Sequence, residues 1–200
     1  MRSFWSEPFL WIHLAGLAMF PLLIELVWLA LAVGDPLPVF WLEFLFVALV
    51  GIVPVFWMQW NRPFDIFSIL IVALKPEQMT LGQRQILSLF KTKKQRLLTA
   101  IAGVLMLVVL WQLYRLAPVV ELVVSPFFPQ WRFLGLLMAT VAFLVSNLFL
   151  QVPLSVLGIL FTSEQQFAAT EPCELEKIPQ EFTIFGFQVG KILPFLIPSS

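Results

Sequence analysis

Charge is what this sequence has least of. Only 12% of its 200 residues are Asp, Glu, Lys or Arg, where an ordinary globular chain carries about 25%. A single cysteine excludes an internal disulfide, and a single histidine excludes a multi-histidine metal site within one chain. Basic and acidic residues balance at 12 each, so the basic surplus that a nucleic-acid partner demands is missing. Catalytic signatures are missing as well. There is no His-Glu-x-x-His, no Gly-x-Ser-x-Gly, no Walker phosphate loop and no Rossmann glycine pattern. No Asp lies in any long apolar run, which excludes an intramembrane aspartyl protease. No pair of inverted halves with matching broken helices is present, which weakens a transporter. The expectation is a protein that is not an enzyme and that carries no cofactor.

What is there in quantity is hydrocarbon. The chain is 60% hydrophobic, with 21 Phe and 8 Trp, and its mean hydropathy is +0.93. A soluble chain of this size needs far more polar surface to cover its core, so lipid is the expected solvent. A membrane-crossing helix takes about 20 apolar residues. Four stretches qualify, at about 9–33, 39–60, 97–117 and 133–161. The first stops at Gly34-Asp35-Pro36-Leu37-Pro38, the second at Asn61-Arg62-Pro63 and the third before Pro118. The fourth contains Pro153, which predicts a kink or a tilt. The expected class is an all-α membrane protein, a four-helix bundle over residues 1–161. Arg2, the first apolar run and Ala30-Leu31-Ala32 have the outline of a cleaved signal, but the run is too long and Glu25 interrupts it, so an uncleaved helix is expected.

The loop 61–96 holds Arg62, Lys75, Arg84, Lys91, Lys93, Lys94 and Arg96 against Asp65 and Glu77. Positive loops stay cytoplasmic, so this loop and both termini are expected on the cytoplasmic side. Within it, Phe64 to Leu74 is too short to span and suits a re-entrant or interfacial segment. Thr80 with Gln83 three residues on has the form of a capping box. The helix it starts carries Leu81, Ile86, Leu89 and Phe90 on one side, consistent with lying on the membrane surface. The segment 162–200 is acidic and proline-broken, with an alternating stretch over 182–189 that suits a short strand or a docking peptide. It is expected to be a cytoplasmic-side tail that protrudes and binds something.

Polar side chains inside spans are functional candidates by default. Glu25 and Glu43 fall at similar depth on helices joined by a tight turn, and Arg115 with Gln112 and Tyr114 lies near the same end of span three. Joined, Glu25, Glu43 and Arg115 could clip the bundle, bind a lipid head group or relay protons; separately, Glu43 snorkels and Arg115 sits among head groups. Asn147 and Gln151 share one face of span four and suit interhelical hydrogen bonds. His13 is either an axial ligand for chlorophyll or haem, or a hydrogen-bonding residue at the interface. Trp5, Trp11, Trp57 and Trp60 form one aromatic belt, and Trp41 and Trp131 the other.

The motifs Phe4-Trp5-Ser6-Glu7-Pro8-Phe9-Leu10-Trp11-Ile12-His13, Gly34-Asp35-Pro36-Leu37-Pro38, Trp57-Met58-Gln59-Trp60, Ala73-Leu74-Lys75-Pro76-Glu77-Gln78, Leu110-Trp111-Gln112-Leu113-Tyr114-Arg115 and Ser146-Asn147-Leu148-Phe149-Leu150-Gln151-Val152-Pro153 resemble those of the cyanobacterial low-complexity-tail membrane proteins. The likeness covers most of residues 4–172. It implies a photosynthetic prokaryote and a thylakoid or plasma membrane, and it carries over no catalytic residue. Three functions stay open. The first is a non-enzymatic accessory or assembly component, with the lipid bilayer and a larger membrane complex as partners. The second is a lipid- or solute-handling protein using Glu25, Glu43 and Arg115. The third is pigment or haem binding through His13.

Overall fold

In hydrocarbon every backbone polar group must find its partner inside the protein, which favours long unbroken helices. The computed structural model describes residues 3–69, 71–124 and 131–192. It contains four helical stretches long and apolar enough to cross a membrane: Pro8–Leu31, Phe40–Asn61, Lys93–Val124 and Arg132–Leu160. In chain order the helices and strands are α1 (Pro8–Ala15), α2 (Met19–Leu31), α3 (Phe40–Asn61), β1 (Ser68–Ile69), β2 (Val72–Leu74), α4 (Leu81–Phe90), α5 (Lys93–Val124), α6 (Arg132–Leu160), α7 (Glu164–Ala168), α8 (Ile178–Glu181) and β3 (Phe187–Val189).

Prolines treat these helices differently from soluble ones. Span one is divided into α1 and α2 by a 3-10 turn at Gly16–Ala18; Pro21 has no N–H to offer the carbonyl of Leu17, which loosens that turn. The third span was expected to stop before Pro118, yet α5 runs through it to Val124. Resuming the helix bonds the backbone of Val119–Val124, which has no other partner in an apolar solvent. Pro54 and Pro153 likewise sit inside α3 and α6.

The chain packs as two compact units, residues 16–57 with 100–151, and residues 1–15 with 58–99 and 152–200. The boundary expected at 161/162 falls inside the second of these units. The first unit is a helix bundle. Trp41 stacks on Trp111 at 5.4 Å and Gly103 lies against Phe56, so α5 runs antiparallel to α3. It therefore runs parallel to α2, which a short turn joins to α3. Gly135 lets α6 approach α2 closely, because a Cβ there would lie 2.6 Å from Val33 Cβ and 2.7 Å from Ala30 O. Gly34 holds a positive φ of 67° in the turn after α2, a conformation that side chains resist.

The second unit is a mixed assembly that was not expected. Within Phe64 to Leu74, expected as a re-entrant or interfacial segment, the chain turns into the hairpin β1–β2, with Ile66 and Phe67 fully buried. β3, from the C-terminal segment, pairs parallel with β2, Val72 opposite Phe187 and Leu74 opposite Val189. The three strands satisfy one another's backbone, which eleven lone residues in lipid could not do. The capping box is present, with Gln83 N donating to Thr80 Oγ1 at 3.3 Å and Thr80 N to Gln83 Oε1 at 3.0 Å. The apolar face of α4 is turned into the protein core with Phe9, Ile159, Ile178 and Phe182, not onto a membrane surface; Leu81 alone of its expected apolar residues is exposed.

The segment 162–192 does not protrude. Arg62 Nη2 donates to the carbonyls of Pro179 (2.8 Å) and Phe182 (3.0 Å). Arg84 Nε donates to Cys173 O at 2.6 Å, and Cys173 N returns a bond to Arg84 O at 3.2 Å. Too short to form a core alone, the segment completes one supplied by α4, the hairpin and the first turns of the chain. Burying a Phe or Ile in such a core contributes roughly 1.5–3 kcal/mol each. Arg2, Pro194 and Pro198 lie outside the described residues.

Candidate functional site

The turn after α2 brings the start of α3 against the start of α6. Glu43, in the first turn of α3, is 1% exposed. Its Oε1 accepts from Leu37 N and from Arg132 Nε, both at 2.9 Å, and its Oε2 forms an ion pair with Arg132 Nη2. Arg132 Nη1 also donates to the carbonyls of Leu31 (2.6 Å) and Val33 (3.2 Å). Leu31 O is a carbonyl that the end of α2 leaves without a helical partner, and Val33 O belongs to the turn that follows. Three helix ends are thus tied by one carboxylate and one guanidinium. The partner of Glu43 is Arg132 and not Arg115. Arg132 is the residue that sequence reasoning missed, although its position opening span four put it at the same end as Glu43.

Glu25 and Arg115 are elsewhere. Both are exposed, and among the described residues neither has a hydrogen bond or ion pair. α2 buries Val27, Ala30 and Leu31 and turns Glu25 outward between exposed Leu22 and Leu26. A charge placed in hydrocarbon this way costs about 2.5–3.5 kcal/mol. Arg115 stands on the outward face of α5 with Val108, Val119 and Leu122, all exposed. The expected three-residue cluster of Glu25, Glu43 and Arg115 therefore does not form within the chain.

Asn147 and Gln151 do meet. Asn147 Nδ2 donates to Gly51 O at 3.0 Å, and Gln151 Nε2 donates to Asn147 Oδ1 at 3.0 Å. This is interhelical bonding between α6 and α3, placed where Gly51 brings the backbone close to Phe143. His13 is half-buried. Its Nδ1 is 2.9 Å from Phe9 O, the Ser68 backbone lies beside the ring, and the Phe64 ring centroid is 5.6 Å away. One ring nitrogen is thus engaged by the helix's own backbone.

Two features of the mixed unit were not anticipated. Asp65 is fully buried. Its Oδ1 accepts from Phe67 N at 2.9 Å, while its Oδ2 has no partner among the described residues. Burial pushes its pKa up to about 6 against the opposing pull of the Phe67 N–H. Burial also raises Glu7, which the Gln83 side-chain amide at 3.1 Å partly offsets. The second feature is an apolar patch on the sheet. Ile71 is 67% exposed, Phe187 77% and Phe185 47%; Phe187 N donates to Ile71 O at 2.7 Å, and the Phe185 ring stacks on Phe64 at 5.8 Å. These residues lie outside the four spans. An alternating stretch at 182–189 was the only sequence sign of it.

A family model described as "Low-complexity tail membrane protein-like" matches residues 6–194. No curated protein and no solved structure matches the chain.

Proposed function

The chain belongs to the low-complexity tail membrane protein-like family, and on that premise we propose that it is a non-enzymatic accessory or assembly component of a larger membrane protein complex. One observation carries this: the patch of Ile71, Phe185 and Phe187 on a sheet outside the spanning helices. Exposed Leu and Val on the spans suit lipid tails, whereas Phe187 in β3, with Ile71 and Phe185 beside it, lies outside the spans. Contiguous apolar surface of that kind marks a protein contact. The seven basic residues of loop 61–96 support an orientation with this unit, and both termini, on the cytoplasmic side. The family resemblance supports a thylakoid or plasma membrane of a photosynthetic prokaryote.

The test is affinity capture of the full chain from native membranes in mild detergent, wild type beside Phe187→Asp. The expected result is a partner complex recovered with the wild type and lost with the variant, while membrane insertion is unchanged. Equal recovery with both, or no partner with either, contradicts the proposal.

A further inference from the structure

We propose that Glu25 and Arg115 form a reciprocal interface between two copies of this chain, each Glu25 meeting the Arg115 of the second copy. The inference stands on other residues than the sheet patch and goes beyond it.

Register is the starting point. Trp28 Nε1 donates to Leu116 O at 2.8 Å, which fixes α2 against α5 at one level. Glu25 precedes Trp28 by three residues and Arg115 precedes Leu116 by one. Because α2 and α5 run parallel, at about 1.5 Å per residue their Cα atoms differ in depth by only about 3 Å. Both side chains face out of the bundle, and neither is paired among the described residues. A two-fold axis along the membrane normal preserves depth. It therefore brings each carboxylate to the level of the other copy's guanidinium and forms two equivalent ion pairs, the self-complementarity that a two-fold interface requires.

A lipid head group satisfies fewer of these facts. An anionic head group at Arg115 leaves Glu25 bare in hydrocarbon. Moreover, the apolar face of α5 does not end at Arg115: Val119 and Leu122 continue it, exposed, for about two further turns. A second copy covers that face and neutralises both charges in one step.

The experiment uses the full chain, with fluorescently labelled copies co-reconstituted in phosphatidylcholine vesicles and energy transfer followed against protein-to-lipid ratio. Wild type is expected to associate as dimers. Glu25→Arg and Arg115→Glu are each expected to weaken association about tenfold or more, and the exchange variant carrying both is expected to restore it. Protease protection checks insertion. If a charge-reversed variant fails to insert, Glu25→Gln and Arg115→Gln take its place, and they too must weaken association. Wild type monomeric at every ratio overturns the proposal, as does association unmoved by the single variants. Failure of the inserted exchange variant to recover does the same. Transfer that appears only when anionic lipid is added assigns Arg115 to a head group and also overturns it.

Discussion

Arg132 is the residue whose removal should cost the helix bundle most. Its guanidinium makes two contacts with Glu43 and one each with Leu31 O, at the end of α2, and Val33 O, in the turn after it. Arg132→Ala deletes all four. It leaves a carboxylate that is 1% exposed with one remaining donor, Leu37 N at 2.9 Å, and returns Leu31 O and Val33 O to the unpartnered state. Breaking a buried ion pair by removing one member costs about 3–5 kcal/mol. Glu43→Gln should cost less, about 1–3 kcal/mol: the amide oxygen still accepts from Leu37 N and Arg132 Nε, while the amide NH2 that replaces Oε2 cannot accept from Arg132 Nη2, so that contact is lost. The double variant Glu43→Ala/Arg132→Ala leaves no charge stranded. It should be less destabilised than the sum of the two alanine variants by about 1 kcal/mol or more. Equilibrium unfolding in lipid bicelles, with each variant measured beside wild type, supplies the four corners of the cycle. An Arg132→Ala cost under about 1 kcal/mol, or strict additivity, refutes the view that this pair clips three helix ends.

Asp65 predicts a pH dependence of the mixed unit. Its folded pKa, about 6, lies above the ordinary 3.8, so the folded state holds the proton more tightly than the unfolded chain does. Its stabilising contribution is present below about pH 4 and is lost as pH rises through 6, an upper bound of about 3 kcal/mol from a shift of about two units. Glu7, also raised, acts with the same sign. Unfolding midpoints of wild type and Asp65→Asn across pH 4–7.5 should show the variant flatter; equal slopes contradict the assignment. Asn147→Ala removes the bond to Gly51 O and strands Gln151 Nε2. It should destabilise the bundle by about 0.6–2 kcal/mol in the same bicelle assay, and a neutral result removes the interhelical role.

The four spans were legible because hydrocarbon thickness sets a length that apolar runs either reach or miss. The capping box at Thr80 and Gln83 was legible because both halves lie within four residues, and so was the shared face of Asn147 and Gln151. The ends of the spans were less so: Pro118 would stop a helix in water, where the freed backbone has a solvent to bond. Partner choice was hidden for a different reason. Whether Glu43 meets Arg115 or Arg132 depends on how each helix is rotated about its axis, and depth alone does not fix that. The pairing of β2 with β3 joins segments separated by two spanning helices, and nothing in the strand at 187–189 names its neighbour. Asp65 looked like one charge in a basic loop because its burial arises only in the folded unit, where its N–H donates to Thr183 O of the distant C-terminal segment.

The most direct test of the account is the composition of the particle that the full chain occupies in its native membrane. Gentle solubilisation followed by native mass spectrometry, wild type beside Phe187→Asp, is predicted to find the wild-type chain bound to at least one different protein and the variant released from it. Finding the wild-type chain only alone or with its own copies would contradict the role proposed for the patch of Ile71, Phe185 and Phe187.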